Sequence, residues 1–226
     1  MKKLSLILLM FCAFEGRAQK QPEFRLNIYG SYVFDDRVDS YYSNTSYYEG
    51  TVKGNLLWGL GVEYMIQPTM GIELTYLRED TKAPTTYYDD QVIVNNVKTK
   101  EFDLGINYLM LGTTKYFPLS EVIEPFFGLA LGIGIINGSD PSTSEERNAT
   151  KFAWTIKGGT NIWASEKVGI KLQAGLTSIA QGAGGGIYFG TGGVSPGLST
   201  YSSIFQFSLG GGVVFKLGGK RNQSQQ

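Results

Sequence analysis

Apolar residues recur at every second position in eight separate stretches of this chain, and that period belongs to strands. The stretches are Phe24–Phe34, Asn55–Met65, Met70–Arg78, Glu101–Tyr116, Pro125–Ile136, Lys151–Trp163, Lys167–Thr177 and Ile204–Leu217. In the second, Leu56, Trp58, Leu60, Val62 and Tyr64 oppose Asn55, Gly59, Gly61 and Glu63. In the fourth, Phe102, Leu104, Ile106, Tyr108 and Met110 oppose Glu101, Asp103, Gly105 and Asn107. Side chains alternate across a strand, so each segment has one greasy face and one face of glycine and charge.

Two architectures accommodate such strands. A soluble calycin-type barrel turns the large apolar face inward around a ligand, and an outer-membrane barrel turns it outward to lipid. Three features favour the second. Long connections (35–54, 79–100, 137–150, 178–203) alternate with short ones (66–69, 117–124, 164–166), as extracellular loops alternate with periplasmic turns. Aromatics gather at the strand ends. Tyr32, Phe34, Trp58, Tyr76, Phe102, Phe152, Trp154 and Phe205 fall at an outer rim, and Phe24, Tyr64, Tyr116, Phe127 and Phe215 at an inner one.

The third feature is the polar face itself. Eight strands enclose a lumen just wide enough for side chains to fill it. The charges predicted to face it are Arg25, Glu63, Glu73, Glu101, Asp103, Lys115, Lys157, Lys171 and Lys216. Five are basic and four acidic, a near balance that suits a packed, mutually neutralising network better than a sign-selective pore. On the lipid face a charge near the midplane would cost up to about 4 kcal/mol, so the register is strongly specified. The fold class predicted is all-β: an eight-stranded antiparallel up-and-down transmembrane β-barrel.

Residues 1–18 read as a secretory leader. Lys2 and Lys3 precede the apolar run Leu4–Phe14, and Gly16 and Ala18 put small residues before a cut at Gln19. A lipoprotein reading on Cys12 has bulky Phe11 against it. Domain boundaries follow: leader 1–18, barrel 19–219, polar tail 220–226. The whole chain of 226 residues carries 20 Lys+Arg and 20 Asp+Glu; removing the leader leaves 17 basic and 19 acidic residues. That charge excludes the basic excess of a nucleic-acid binder.

The chain contains no His and a single Cys, which falls in the leader. The usual general base, the nucleophile–His pairs and the commonest metal ligand are therefore missing. No cofactor is expected and the protein is read as a non-enzyme. Gly182–Gly186 and Gly190–Gly193 lack the strand–helix context and Lys of a phosphate loop.

The long loops hold Tyr41, Tyr42, Tyr47, Tyr48, Tyr87 and Tyr88, with Ser-Tyr-Tyr occurring at 40–42 and again at 46–48. Such tyrosines stack on sugars, anchor a protein partner, or pack loop strands on one another above the membrane. Asp35-Asp36 and Asp89-Asp90 are pairs that bind Ca²⁺, bridge lipopolysaccharide through divalent ions, or simply remain solvated.

The pattern as a whole resembles the small eight-stranded outer-membrane β-barrels of the OmpA and OmpX kind, and most of all the outer-membrane β-barrel domains of Bacteroidota. LMLGTTKYFP (Leu109–Pro118), EPFFGLALGIG (Glu124–Gly134) and FQFSLGGGVVFKL (Phe205–Leu217) carry the resemblance, in that order, within residues 22–217. It implies one barrel inserted by the outer-membrane assembly machinery, with outer-membrane lipid and lipopolysaccharide as surroundings. Relatives often end on the aromatic of the last strand, an assembly signal; here it would be internal, at Phe215 and Leu217. The expected role is structural or interactive, with the loops meeting lipopolysaccharide, a ligand or a protein partner. The alternatives are an accessory subunit of an outer-membrane secretion or assembly complex, a small pore, or a soluble periplasmic ligand-binding barrel.

Overall fold

In the computed structural model the described residues are 23–43, 46–88, 97–140, 145–179, 186–190, 193–197 and 204–218; side chains are not described for 38–49, 87–98, 140–147 and 186–197. The strands are β1 (Phe24–Val33), β2 (Asp36–Ser43), β3 (Ser46–Val52), β4 (Leu56–Gln67), β5 (Met70–Tyr88), β6 (Val97–Tyr116), β7 (Ile123–Asp140), β8 (Glu145–Trp163), β9 (Val168–Ile179), β10 (Gly186–Gly190), β11 (Gly193–Gly197) and β12 (Ile204–Leu217).

Eight of them close into a ring in the order β1-β12-β9-β8-β7-β6-β5-β4, returning to β1. Every pairing is antiparallel. β12 seals the seam on β1 from Phe24↔Leu217 to Val33↔Ser208. Closure leaves no free edge, so each backbone group of the wall is paired within the wall, as hydrocarbon surroundings demand.

The outward face is a belt of large apolar side chains. Ile28, Leu60, Leu74, Leu111, Leu131, Ile170 and Leu209 are all 40–60% exposed. Aromatics flank the belt: Phe24 and Tyr64 touch at the end where the short turns lie, and Phe34 and Phe207 at the opposite end. Ten residues of β1 at about 3.3 Å each, tilted by about 40°, reach about 25 Å, the height of an outer-membrane apolar band. Lipid is the solvent this surface fits.

Seven strands take the faces their alternation predicts, and β6 does not. Phe102, Leu104, Ile106, Tyr108 and Met110 turn inward and are at most 5% exposed, while Leu109 and Leu111 turn outward at 46% and 59%. The cause is pairing. Residues directly opposite across an antiparallel pair share a face. Tyr76 and Leu74 of β5 point to lipid and sit opposite Leu109 and Leu111. The even-numbered residues of β6 therefore have to face the lumen. Two aromatics assigned to the rims, Phe102 and Tyr116, are interior for the same reason.

The long connections are mostly strand. β5 and β6 stay paired far beyond the belt, out to Tyr88↔Val97, and β7 and β8 out to Asp140↔Glu145. The β2–β3 hairpin folds against this extension through Tyr48↔Tyr87 and Gly50↔Thr85.

Candidate functional site

The lumen is built in layers. At the end with the short turns, Arg25 enters from the start of β1 and Glu124 from the start of β7. The Arg25 Nη1 and Nη2 donate to the two Glu124 oxygens at 2.8 and 3.2 Å, and its Nε donates to Glu23 at 3.0 Å. Asn161 Nδ2 donates to Glu124 at 2.9 Å. The guanidinium lies 4.4 Å over the Tyr116 ring and 5.4 Å from that of Trp163, whose other neighbour is the Lys216 ammonium at 3.7 Å.

One layer further in, Glu63 and Glu73 sit directly opposite each other on β4 and β5. Like charges so placed repel, and each carboxylate has its own partners. Glu63 accepts from the Tyr116 hydroxyl at 2.6 Å. Glu73 accepts from Lys157 Nζ at 2.5 Å, from Asn27 Nδ2 at 2.8 Å and from the Tyr29 hydroxyl. The Lys171 ammonium rests 4.7 Å from the Phe126 ring and 5.5 Å from that of Tyr29. Two glycines make the room. A Cβ on Gly61 would collide with the Glu73 carboxylate, and one on Gly71 with that of Glu63.

Above this the lumen turns apolar. Val33, Leu57, Leu104, Ile106, Met110, Ile136, Ile179 and Ile204 form one buried cluster. Set against it is Glu79, fully buried, whose oxygens accept from Gln206 Nε2 at 3.2 and 3.0 Å. Gln206 in turn accepts from the Tyr108 hydroxyl at 2.8 Å. Between the charged and apolar layers lies a cavity of about 40 Å³, lined in part by Tyr29, Lys157, Gln173 and Thr177. That is space for about three waters at about 10–15 Å³ each.

Of the nine charges predicted to face the lumen, Arg25, Glu63, Glu73, Lys157 and Lys171 lie within it, each at most 9% exposed, and Lys216 stands half-buried at its mouth. Glu101, Asp103 and Lys115 do not; the inverted face of β6 puts all three on the outer surface. There Lys82 pairs with Glu101 at 2.5 Å and approaches Asp103 at 3.9 Å, and Lys115 Nζ donates to Thr69 Oγ1 at 2.8 Å. Sequence reading missed Glu79, Glu124 and Lys151, all buried. Parity holds the signal for the two glutamates. Glu79 continues the Gly71-Glu73-Thr75 face past the predicted strand end, and Glu124 continues the Phe126-Gly128 face before the predicted start.

At the outer end, the backbone of Tyr41 pairs with that of Tyr47, and Tyr48 with Tyr87. The side chains of Tyr41, Tyr42, Tyr47, Tyr48, Tyr87 and Tyr88 lie outside the described residues, as do Asp89 and Asp90. Asp35 and Asp36 serve the hairpin's attachment. Asp35 accepts from Gly54 N at 2.8 Å and Lys53 Nζ at 3.0 Å, and Asp36 accepts from Phe205 N at 2.9 Å.

No protein-family model and no curated protein matches the chain. Solved structures do match it. The outer membrane protein OprG from Pseudomonas aeruginosa aligns with a TM-score of 0.56 at 13% identity, covering 88% of this chain and 98% of that one. Neisserial surface protein A aligns with a TM-score of 0.52 at 10% identity, covering 87% of this chain and 97% of that one. The likeness, at these identities, is of fold: the chain has the architecture of the small eight-stranded outer-membrane β-barrels.

Proposed function

We propose that this protein is a non-enzymatic barrel of the outer membrane, closed to ions, that acts at the cell surface through its extracellular strands and loops. One observation supports the reading: among the described residues the lumen is packed with side chains. Charged layers linked by hydrogen bonds and an apolar cluster above them flank a cavity of about 40 Å³, where a pore needs a continuous channel. A pore is the weaker reading, since a permeating ion would have to pass the packed Val33–Leu104–Ile106 layer, against which the buried Glu79 is already hydrogen-bonded to Gln206.

In this reading residues 1–18 are a cleaved leader, 19–219 the barrel and 220–226 a polar tail. The internal Phe215 and Leu217 act as the signal for the assembly machinery. Kinship with the Bacteroidota barrel domains rests on the three motifs at 109–118, 124–134 and 205–217. The six loop tyrosines, whose backbone lies on strands that run past the lipid belt, are the residues we assign to a glycan or protein partner. Membership of a secretion or assembly complex is the second reading, and the long β5–β6 ribbon favours it as a protruding edge.

The test is planar-bilayer recording of the refolded full chain together with a stoichiometric pull-down from membranes. Silence in the bilayer supports the closed lumen. Stable channels whose conductance changes in Lys157→Met would overturn it.

A further inference from the structure

The outer face of the wall changes chemistry abruptly along β5 and β6. In the belt it shows Leu74, Tyr76, Leu109 and Leu111. The next outward positions are Arg78, Asp80 and Lys82 on β5, and Asn107, Gly105 and Asp103 on β6. At the border, Asn107 Oδ1 accepts from the Tyr76 hydroxyl at 2.8 Å and from Arg78 Nη1 at 2.9 Å. Arg78 Nε donates to Asp80 Oδ2 at 3.0 Å. The guanidinium lies over Gly105, where a Cβ would stand 3.3 Å from Nη2. Beside this array runs a cleft of about 670 Å³ on the flank of the wall, completed by Asn55, Asn137 and Asn148. The last two are register partners, so their amides stand side by side.

The lining selects its ligand. Both cations already have carboxylate partners: Arg78 with Asp80 at 2.5 Å and Lys82 with Glu101 at 2.5 Å. No net positive field is left over for a bare phosphate. Asn55 is already tied at both ends of its amide, to the Asp80 carbonyl at 2.6 Å and the Leu56 N–H at 2.8 Å. What remains is carboxylate lone pairs, a guanidinium edge and the side-chain amides of Asn137 and Asn148, which both donate and accept. That set matches vicinal hydroxyls, and the volume lies in the range of small-molecule sites. We propose that this cleft binds a neutral, hydroxyl-rich oligosaccharide. It opens sideways just above the lipid belt, so the headgroup of a glycolipid in the same leaflet reaches it as readily as a free saccharide. The inference rests on reading the β5–β8 extensions as the cell-surface end.

The test uses the full chain refolded in phosphocholine micelles or phosphatidylcholine vesicles, with calorimetric titration of three probes. These are a neutral gluco-oligosaccharide, a diacylglycerol glycolipid carrying the same neutral oligosaccharide in vesicles, and inorganic phosphate. Saturable binding of the free oligosaccharide is expected, weakened tenfold or more in the outward-facing pair Asn137→Ala/Asn148→Ala and in Gly105→Val, which displaces Arg78. Tighter binding of the intact glycolipid, with the same loss, assigns the sugar to the membrane; equal binding assigns it to either source. Binding that ignores both variants, displacement by phosphate, or no binding by a chain whose gel mobility still shifts on heating overturns the proposal. Conductance of the same sample tests the closed-lumen reading separately, and loss of the heat shift in the parent chain would strike the barrel reading instead.

Discussion

Arg25 and Glu124, 99 residues apart in the chain, meet across the lumen in a two-pronged ion pair at 2.8 and 3.2 Å. Both are buried, so neither charge has bulk water to fall back on. Arg25→Ala is expected to destabilise the barrel by about 3–5 kcal/mol, because it strands the Glu124 carboxylate. The double variant Arg25→Met/Glu124→Leu is expected to lose less than that single variant. Urea unfolding in lipid vesicles measures both; a cost under about 1 kcal/mol for Arg25→Ala would show the pair to be energetically idle.

Leu131 stands in the middle of the apolar belt, 60% exposed, while Leu119 is 75% exposed in the turn between β6 and β7. A soluble surface would treat the two alike. In lipid, Leu131→Arg is expected to cost about 2–4 kcal/mol, and Leu119→Arg within about 0.5 kcal/mol of nothing. Equal small effects in vesicle unfolding would reject the lipid-facing assignment.

The inverted face of β6 is open to spectroscopy. Spin labels at Leu109→Cys and Leu111→Cys are expected to relax strongly with oxygen dissolved in the bilayer, and a label at Met110→Cys weakly. The reverse order would restore the face predicted by alternation.

Asp35 lies in the link between β1 and β2, outside the membrane-spanning segments. The Gly54 backbone N–H, and after it the Lys53 ammonium, hold its carboxyl below the usual carboxylate range. The folded value lies below the unfolded one, about 3.9. The attachment is therefore favoured above that pH and is lost as the pH falls through the folded value. A carboxyl titration followed by NMR should find Asp35 below an ordinary aspartate, moving up in Lys53→Met while the Gly54 bond remains. An Asp35 titrating at or above the ordinary value would contradict the geometry.

Much of this fold was legible because lipid imposes a simple code. Period two and alternating loop lengths suffice for the strand count and for the outward faces of Leu60, Leu131 and Leu209. The code blurs where both faces of a strand are apolar. Between Leu104 and Leu111 there is an apolar side chain on each side, and only the pairing of Leu111 with Leu74 decides between them. Parity points Arg25, Glu73 and Lys157 to one face of their strands, yet nothing local says that Glu73 meets Lys157 or that Arg25 meets Glu124. Those partnerships depend on which strands stand opposite once the ring closes. The glutamates at 79 and 124 were lost at strand ends, where the extended ribbons ran further than the alternation suggested.

A ring of eight strands is a hoop, and a thin hoop under sideways pressure flattens. Arg25 on β1 and Glu124 on β7 are half a circumference apart in the strand order, and so are Tyr108 on β6 and Gln206 on β12. These links work as spokes, one near each end of the cylinder and set one strand position apart in direction. Squeezing the cross-section into an ellipse must stretch or compress at least one of the two. The barrel thus keeps its roundness by internal bracing, which lets the wall itself be rich in glycine.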